Sequence, residues 1–240
     1  MLITTKAIVI SSIKYAEADL IVSCYTQQVG LKSYMLRGVL KSKKGKLKAS
    51  YFLPLTQFEM VAYHKGKGTL ERIKEVKITK PYKELHTNVI KGTIVLFLSE
   101  IIKNAIQEEE ANKALFQFLE QSLFWLDTSI NYANFHLLFL LELTTYLGFY
   151  PDTSNINADY FNIQEGNFQT SDAGFYCEKG DVINNLKRLF GINFDTLSQL
   201  KLTKKQRSEV LHLLLVYYQL HLQGFKKPKS LDVLNQIFSN

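Results

Sequence analysis

Apolar and polar positions alternate along the first 80 residues and recur at helical spacing beyond them, so a strand-built part precedes a helix-built part. Alternating runs at 2–11, 20–25, 31–39, 55–64 and 69–78 predict five strands, separated by turn signals that include Gly30 and the Gly66, Gly68 pair. Five short strands in so little chain predict a small barrel. Gly66 and Gly68 supply the permissive backbone of a hairpin, whereas a phosphate cradle needs a strand before it and a helix after it.

After Pro81 the period changes. Val89, Ile90, Ile94, Phe97, Ile101 and Ile102 line one helical face that ends before the acidic run 108–110. Further helices are predicted at 114–126 and 135–147, the second stopped by Gly148 with Pro151 just beyond. Periodicity lapses over 152–179 into Asn, Asp, Ser, Thr and Gly with short aromatic pieces, which reads as a loop excursion holding a small hairpin. Helices resume at 181–190, 204–222 and 230–238, the middle one opened by Thr203 as N-cap. The expected organisation is a β domain at 1–80 and a helical domain at 81–240, with 152–180 as an insertion.

Charge sharpens this division. Residues 1–80 hold 15 Lys and Arg against 5 Asp and Glu, and residues 81–240 hold 14 against 17, so the excess sits on the β part. Lys41, Lys43, Lys44, Lys46 and Lys48 crowd one short stretch just after Arg37, where mutual repulsion favours an anionic partner. Hydrophobic residues at 46% and charged ones at 21% are ordinary globular usage, which excludes wholesale disorder. The apolar run 137–141 is closed by Glu142 and falls far short of the roughly 20 residues of a membrane span. The alternating start of the chain lacks a secretory core, and Cys24 and Cys177 give no disulfide framework. A reducing cytoplasm is the expected compartment.

Lysine-rich segments grip phosphate by point charge and counterion release, without sequence preference. Single-strand binding also needs flat groups for base stacking. Tyr34, Tyr51, Phe52, Phe58 and Tyr63 are interleaved with the charges, although strand alternation must bury about half of them. Catalytic apparatus is not visible. Gly45-Lys46 lacks the leading Gly and the following Ser or Thr of a phosphate-binding loop, and no Gly-x-Ser-x-Gly elbow occurs. His64, His86, His136, His212 and His221 show no metal-type pairing, and the run Glu108 to Glu110 spreads around a helix rather than converging.

An ordered set of motifs then resembles one family. It runs from Lys6-Ala7-Ile8-Val9-Ile10 through Tyr15-x-Glu17-x-Asp19-Leu20-Ile21-Val22 and Gly30-Leu31 to Arg37-Gly38-Val39 before the lysines. It continues with Leu55-x-x-Phe58-Glu59, Gly66-Lys67-Gly68, Pro81-Tyr82, Leu147-Gly148-Phe149-Tyr150-Pro151, His221-Leu222-x-Gly224 and Lys229-Ser230. Together these resemble the RecO-type DNA recombination and repair mediators over essentially the whole chain. The resemblance implies an OB-fold barrel followed by a helical domain, binding single- and double-stranded DNA without catalytic turnover. It implies strand annealing, action with RecR, and help in loading RecA onto strands coated with single-stranded-DNA-binding protein, in the cytoplasm and associated with the nucleoid.

By the same resemblance, DNA contact falls on Arg37, Lys41, Lys43, Lys44, Lys46 and Lys48; among the interleaved aromatics, Tyr34 is the stacking candidate. Capture of the acidic, Phe-ended tail of the coating protein calls for an apolar slot rimmed by cations, for which Lys187 and Arg188, or Lys204, Lys205 and Arg207, are the candidates. Many family members hold a structural zinc on two Cys-x-x-Cys pairs in the excursion after Pro151. Here only Cys177 remains, so no zinc and no other cofactor is expected, and packing of Tyr160, Phe161, Phe168, Phe175 and Tyr176 is expected to hold a degenerate zinc-hairpin-like excursion. Two other classes stay open: an RNA-binding barrel of RNA metabolism, and an enzyme acting on nucleic acid, which would need converging carboxylates or a metal.

Overall fold

The computed structural model describes residues 1–41, 46–66, 70–106 and 110–239, so Lys43, Lys44, the tip of the Gly66-Lys67-Gly68 turn, Glu108 and Glu109 lie outside the described residues. The chain divides into two compact units, Met1–Thr128 and Ser129–Asn240.

The first unit is built on five strands: β1 (Leu2–Tyr15), β2 (Asp19–Thr26), β3 (Gly30–Leu36), β4 (Gln57–Tyr63) and β5 (Arg72–Lys77). They form one antiparallel sheet in the order β3-β2-β1-β4-β5. β1 is longer than its alternation predicts because a register shift between Val9 and Ser11 bends it. Its first half pairs with β4, from Leu2 opposite Tyr63 to Ile8 opposite Gln57, and its second half with β2, from Ala7 opposite Thr26 to Tyr15 opposite Asp19. Alternate side chains then converge: Ile3, Ala7, Val9, Val22, Cys24, Tyr34, Phe58, Met60, Ala62 and Ile73 fill one core, with Phe52 from the 3-10 turn Ala49–Phe52.

Edge strands β3 and β5 meet where Met35 N–H donates to Glu71 O and Glu71 N–H to Ser33 O, both at 2.9 Å, a parallel bridge between Tyr34 and Glu71. The expected barrel is therefore a curled sheet joined at one bridge among the described residues, not closed by a full ladder.

This packing unit also takes in helices α1 (Val89–Ala105) and α2 (Lys113–Thr128), in addition to the strand-built residues 1–80. Polar contacts account for this. The buried Asp127 carboxylate of α2 accepts the backbone N–H groups of Lys83, Glu84 and Leu85 at 2.8 to 3.0 Å, and the fully buried Lys91 of α1 donates to Asp127 O at 2.7 Å. Glu120 accepts from Lys6 Nζ at 2.8 Å through its carboxylate and from Gln57 Nε2 at 3.1 Å through its carbonyl, while Phe116 stacks on Tyr25. Asn88 caps α1 by accepting from Ile90 and Lys91 N–H.

The second unit holds α3 (Phe135–Leu147), β6 (Tyr160–Asn162), β7 (Asn167–Gln169), β8 (Cys177–Lys179), α4 (Asp181–Lys187), α5 (Lys204–His221) and α6 (Leu231–Ser239). Helix α3 is mostly apolar and buried from Phe135 to Leu141, and stops at Gly148, whose φ of 82° is the left-handed cap a glycine supplies readily. α5 opens with the capping box of Thr203 and Gln206. The three short strands form a separate sheet in the order β7-β6-β8.

Candidate nucleic-acid interface

The basic segment leaves β3 at Arg37 and is tied at both ends. At its start the Asp19 carboxylate accepts Gly38 N–H at 2.7 Å and Ala18 O accepts Leu40 N–H at 2.9 Å, which pins the segment to the turn between β1 and β2. At its end Lys48 O accepts Tyr51 N–H at 3.0 Å, which opens the 3-10 turn whose Phe52 is buried in the core, while the Lys48 ammonium stands 6.0 Å from the Tyr51 ring. Arg37, Lys41, Lys46 and Lys48 are all exposed. Lys41 meets Glu17 at 2.7 Å, with the two side chains 65% and 87% exposed. An ion pair that open to water contributes little, so it leaves the cation available to a phosphate.

The aromatic expectation needs correction. Tyr34 is 0% exposed, packed in the core opposite Val22, and its ring offers no face to a base. Burial first, and then the neighbouring Cys24 and Glu71, push its hydroxyl above the ordinary range. Phe52 and Phe58 are buried against each other and Tyr51 is half-buried, whereas Tyr63 at the end of β4 is 46% exposed. Alternation marks two faces of a strand but does not say which is inside, and in β3 the even-numbered positions Tyr34 and Leu36 turned inward.

In the second unit the two proposed cationic rims separate. Lys187 donates to Ala158 O at 2.7 Å beneath the Phe168 ring, and Arg188 donates to Asn185 Oδ1 and Lys201 O. Both tie α4 to neighbouring segments through carbonyls, and Arg188 remains exposed. Lys204, Lys205 and Arg207 instead border a cavity of about 230 Å³ lined by His136, Leu211, Leu234 and Phe238. Arg207 lies over the Phe238 ring at 5.2 Å, donates to Asn134 Oδ1 at 3.3 Å, and has a buried Nε with no hydrogen-bond partner among the described residues. The lining residues escaped the sequence reading because, taken singly, each is an ordinary helix-core position. His136 and Phe238 stand about a hundred residues apart and meet only by packing, ring on ring at 5.2 Å.

Burial, and then the Arg207 charge, hold His136 neutral down to about 3. Its folded-state pKa is depressed, so below the unfolded value near 6.5 the unfolded chain takes up a proton that the folded one refuses. The stabilisation is complete above that pH and is lost as pH falls toward 3. Moving from pH 7 to 5 is expected to remove roughly 2 kcal/mol through this group. Urea unfolding of the wild type and of His136→Leu at both pH values checks this, since equal losses in the two would contradict it.

Two of the five aromatics expected to hold the excursion do pack, Phe161 on Phe168 with ring centroids 4.9 Å apart, and amides hold the rest. Phe161 and Phe168 are buried, but Phe175 is 100% exposed and Tyr176 is 44% exposed. Gln169 Nε2 donates to Ser171 O, Ala173 O and Cys177 Sγ at 2.8 to 2.9 Å, while Asn162 Nδ2 donates to Ala173 O at 3.3 Å. The family's structural zinc does not fit these residues: the one thiol is engaged by an amide, and no cluster of three or more His, Cys, Asp or Glu converges among the described residues. Among them, too, no helix is long and apolar enough to cross a membrane.

Residues 1–82 match the family described as Recombination protein O N terminal, and residues 86–232 match Recombination protein O C terminal. The chain is similar to the DNA repair protein RecO of Christiangramia forsetii, at 52% identity over 99% of this chain and 100% of that protein. It is 51% identical to the DNA repair protein RecO of Flavobacterium psychrophilum over all of both chains, and 36% identical to that of Bacteroides fragilis over 99% of this chain and 100% of the other. With an exposed basic segment on a curled sheet, a helical part behind it in sequence, and matches spanning both, the chain belongs to the RecO family of DNA recombination and repair proteins.

Proposed function

We propose that this chain is a non-catalytic recombination mediator that binds single- and double-stranded DNA, anneals complementary strands and assists RecA loading onto DNA coated with single-stranded-DNA-binding protein, together with RecR. On this reading the curled sheet works as a partly open five-stranded OB-type barrel, with Arg37, Lys41, Lys43, Lys44, Lys46 and Lys48 laid along sugar-phosphate chains. The observation that carries the proposal is the exposure of Arg37, Lys41, Lys46 and Lys48 on a segment tied at both ends. Fixed ends lower the entropy lost when the segment settles on a polyanion. The function is exercised in the cytoplasm, at the nucleoid.

The cavity bordered by Lys204, Lys205 and Arg207 is the proposed receptor for the coating protein's tail. Its apolar lining suits a phenyl ring, and its cations suit the acidic groups beside that ring. The test is strand annealing with naked strands, with strands coated by the full-length coating protein, and with strands coated by a version lacking its tail. Annealing of the first two and failure on the third is expected, with Arg207→Ala losing the coated reaction and keeping the naked one. Tail-independent annealing would overturn tail capture, and no acceleration of naked annealing would overturn the mediator assignment itself.

A further inference from the structure

The outer surface that carries Arg37 continues across the edge of β3. At the bridge between Tyr34 and Glu71 the two chains run parallel, so the residues that follow, Met35 and Arg72, lie side by side and face outward. Antiparallel pairing then sets Arg72 opposite Tyr63, and Tyr63 opposite Leu2. Their strand neighbours Tyr34, Ile73, Ala62 and Ile3 point into the core. Leu2, Tyr63 and Arg72 are exposed, and Met35 is half-buried between them and β2.

The acid at this seam is turned away. Glu71 is 3% exposed, and its carboxylate meets His64 Nδ1 at 2.8 Å and accepts Lys65 N–H at 2.9 Å, which locks the turn after Tyr63 to the start of β5. Along β5 the exposed cations Arg72, Lys74 and Lys77 stand against Glu75, and Lys77 faces Glu59 across the ladder. The part of the strand nearest Tyr63 is therefore cationic.

We infer that this seam is a base-stacking station on the DNA path, in which Tyr63 takes a nucleobase of single-stranded DNA on its open face and Arg72 holds the adjoining phosphate. Tyr63 thus does what the buried Tyr34 cannot. Stacking on an aromatic side chain tolerates any base, as a sequence-independent binder requires, and an arginine beside the ring pairs with the backbone. The inference rests on the DNA-binding reading above and adds the residues that recognise bases rather than phosphates.

Fluorescence anisotropy with a thymidine oligomer and an abasic oligomer of equal length tests it, on the full chain and the variants Tyr63→Ala, Tyr63→Phe and Arg72→Gln. Tyr63→Ala is expected to weaken binding of the thymidine oligomer about tenfold and to leave the abasic oligomer unchanged, while Tyr63→Phe retains wild-type affinity for both. Arg72→Gln is expected to reduce the slope of log affinity against log salt by about 0.7 on either oligomer. Equal binding by Tyr63→Ala and wild type, or an equal loss on both oligomers, overturns the stacking station while DNA binding stands. A wild-type chain that binds neither oligomer overturns the station and the DNA-binding reading together.

Discussion

Replacing Lys41, Lys43, Lys44, Lys46 and Lys48 together by alanine is expected to lower affinity for single-stranded DNA by about three orders of magnitude at 0.1 M salt. Each lysine that neutralises a phosphate on a single strand contributes about 0.7 to the slope of log affinity against log salt, so five contribute about 3.5. The same product sets the counterion-release part of affinity at that salt concentration, which is why the two effects must appear together. Anisotropy titrations across a salt series measure both. Wild-type affinity in the quintuple variant would remove the segment from the interface. A fall in affinity with no change in slope would show that the lysines act through folding instead of phosphate contact.

Asp127→Ala should be the most damaging polar substitution in the first unit, destabilising it by about 3–5 kcal/mol. Its carboxylate satisfies three backbone N–H groups in succession, at Lys83, Glu84 and Leu85, and truncation leaves those donors without acceptors inside the fold. The buried ammonium of Lys91 adds to the effect. It rests on the Asp127 carbonyl and on Glu84 Oε2, both at 2.7 Å, so loosening the turn at 83–85 disturbs a charge that has no access to water. Lys91→Met is expected to cost less, because it removes the buried charge and keeps the packing volume, and of the two acceptors it leaves behind Glu84 is open to water. Thermal and urea denaturation of the two variants measures the order. Asp127→Ala as stable as Lys91→Met would mean that the carboxylate is not what fastens the turn to α2. Because this fastening lies in the unit that carries the basic segment, Asp127→Ala should also lower DNA affinity at temperatures where the wild type is still folded.

Features that depend on neighbouring residues were legible in the chain itself. The change from a period of two to a helical period near Pro81, the end of α3 at Gly148, the Thr203 cap and the crowding of lysines after Arg37 all follow from local sterics, hydrogen bonding and charge, and these act over a few residues. The order of the motifs likewise carried the family.

Other features depend on which face of an element is enclosed, and only the tertiary structure decided them. Tyr34 and Tyr63 are both aromatic residues in alternating strands. One is buried and one exposed because β1 bends at its register shift and curls the sheet around the side that carries Tyr34. Likewise, Lys187 and Arg207 are both cations on helices of the second unit, yet Lys187 is spent on a carbonyl while Arg207 borders a cavity whose lining is drawn from α3, α5 and α6. The extent of the first unit was set in the same way, by Asp127 reaching more than forty residues back to the turn at 83–85. Periodicity assigns a residue to a face of its own element, but enclosure of that face is a property of the elements packed against it, and it is written at no single position of the chain.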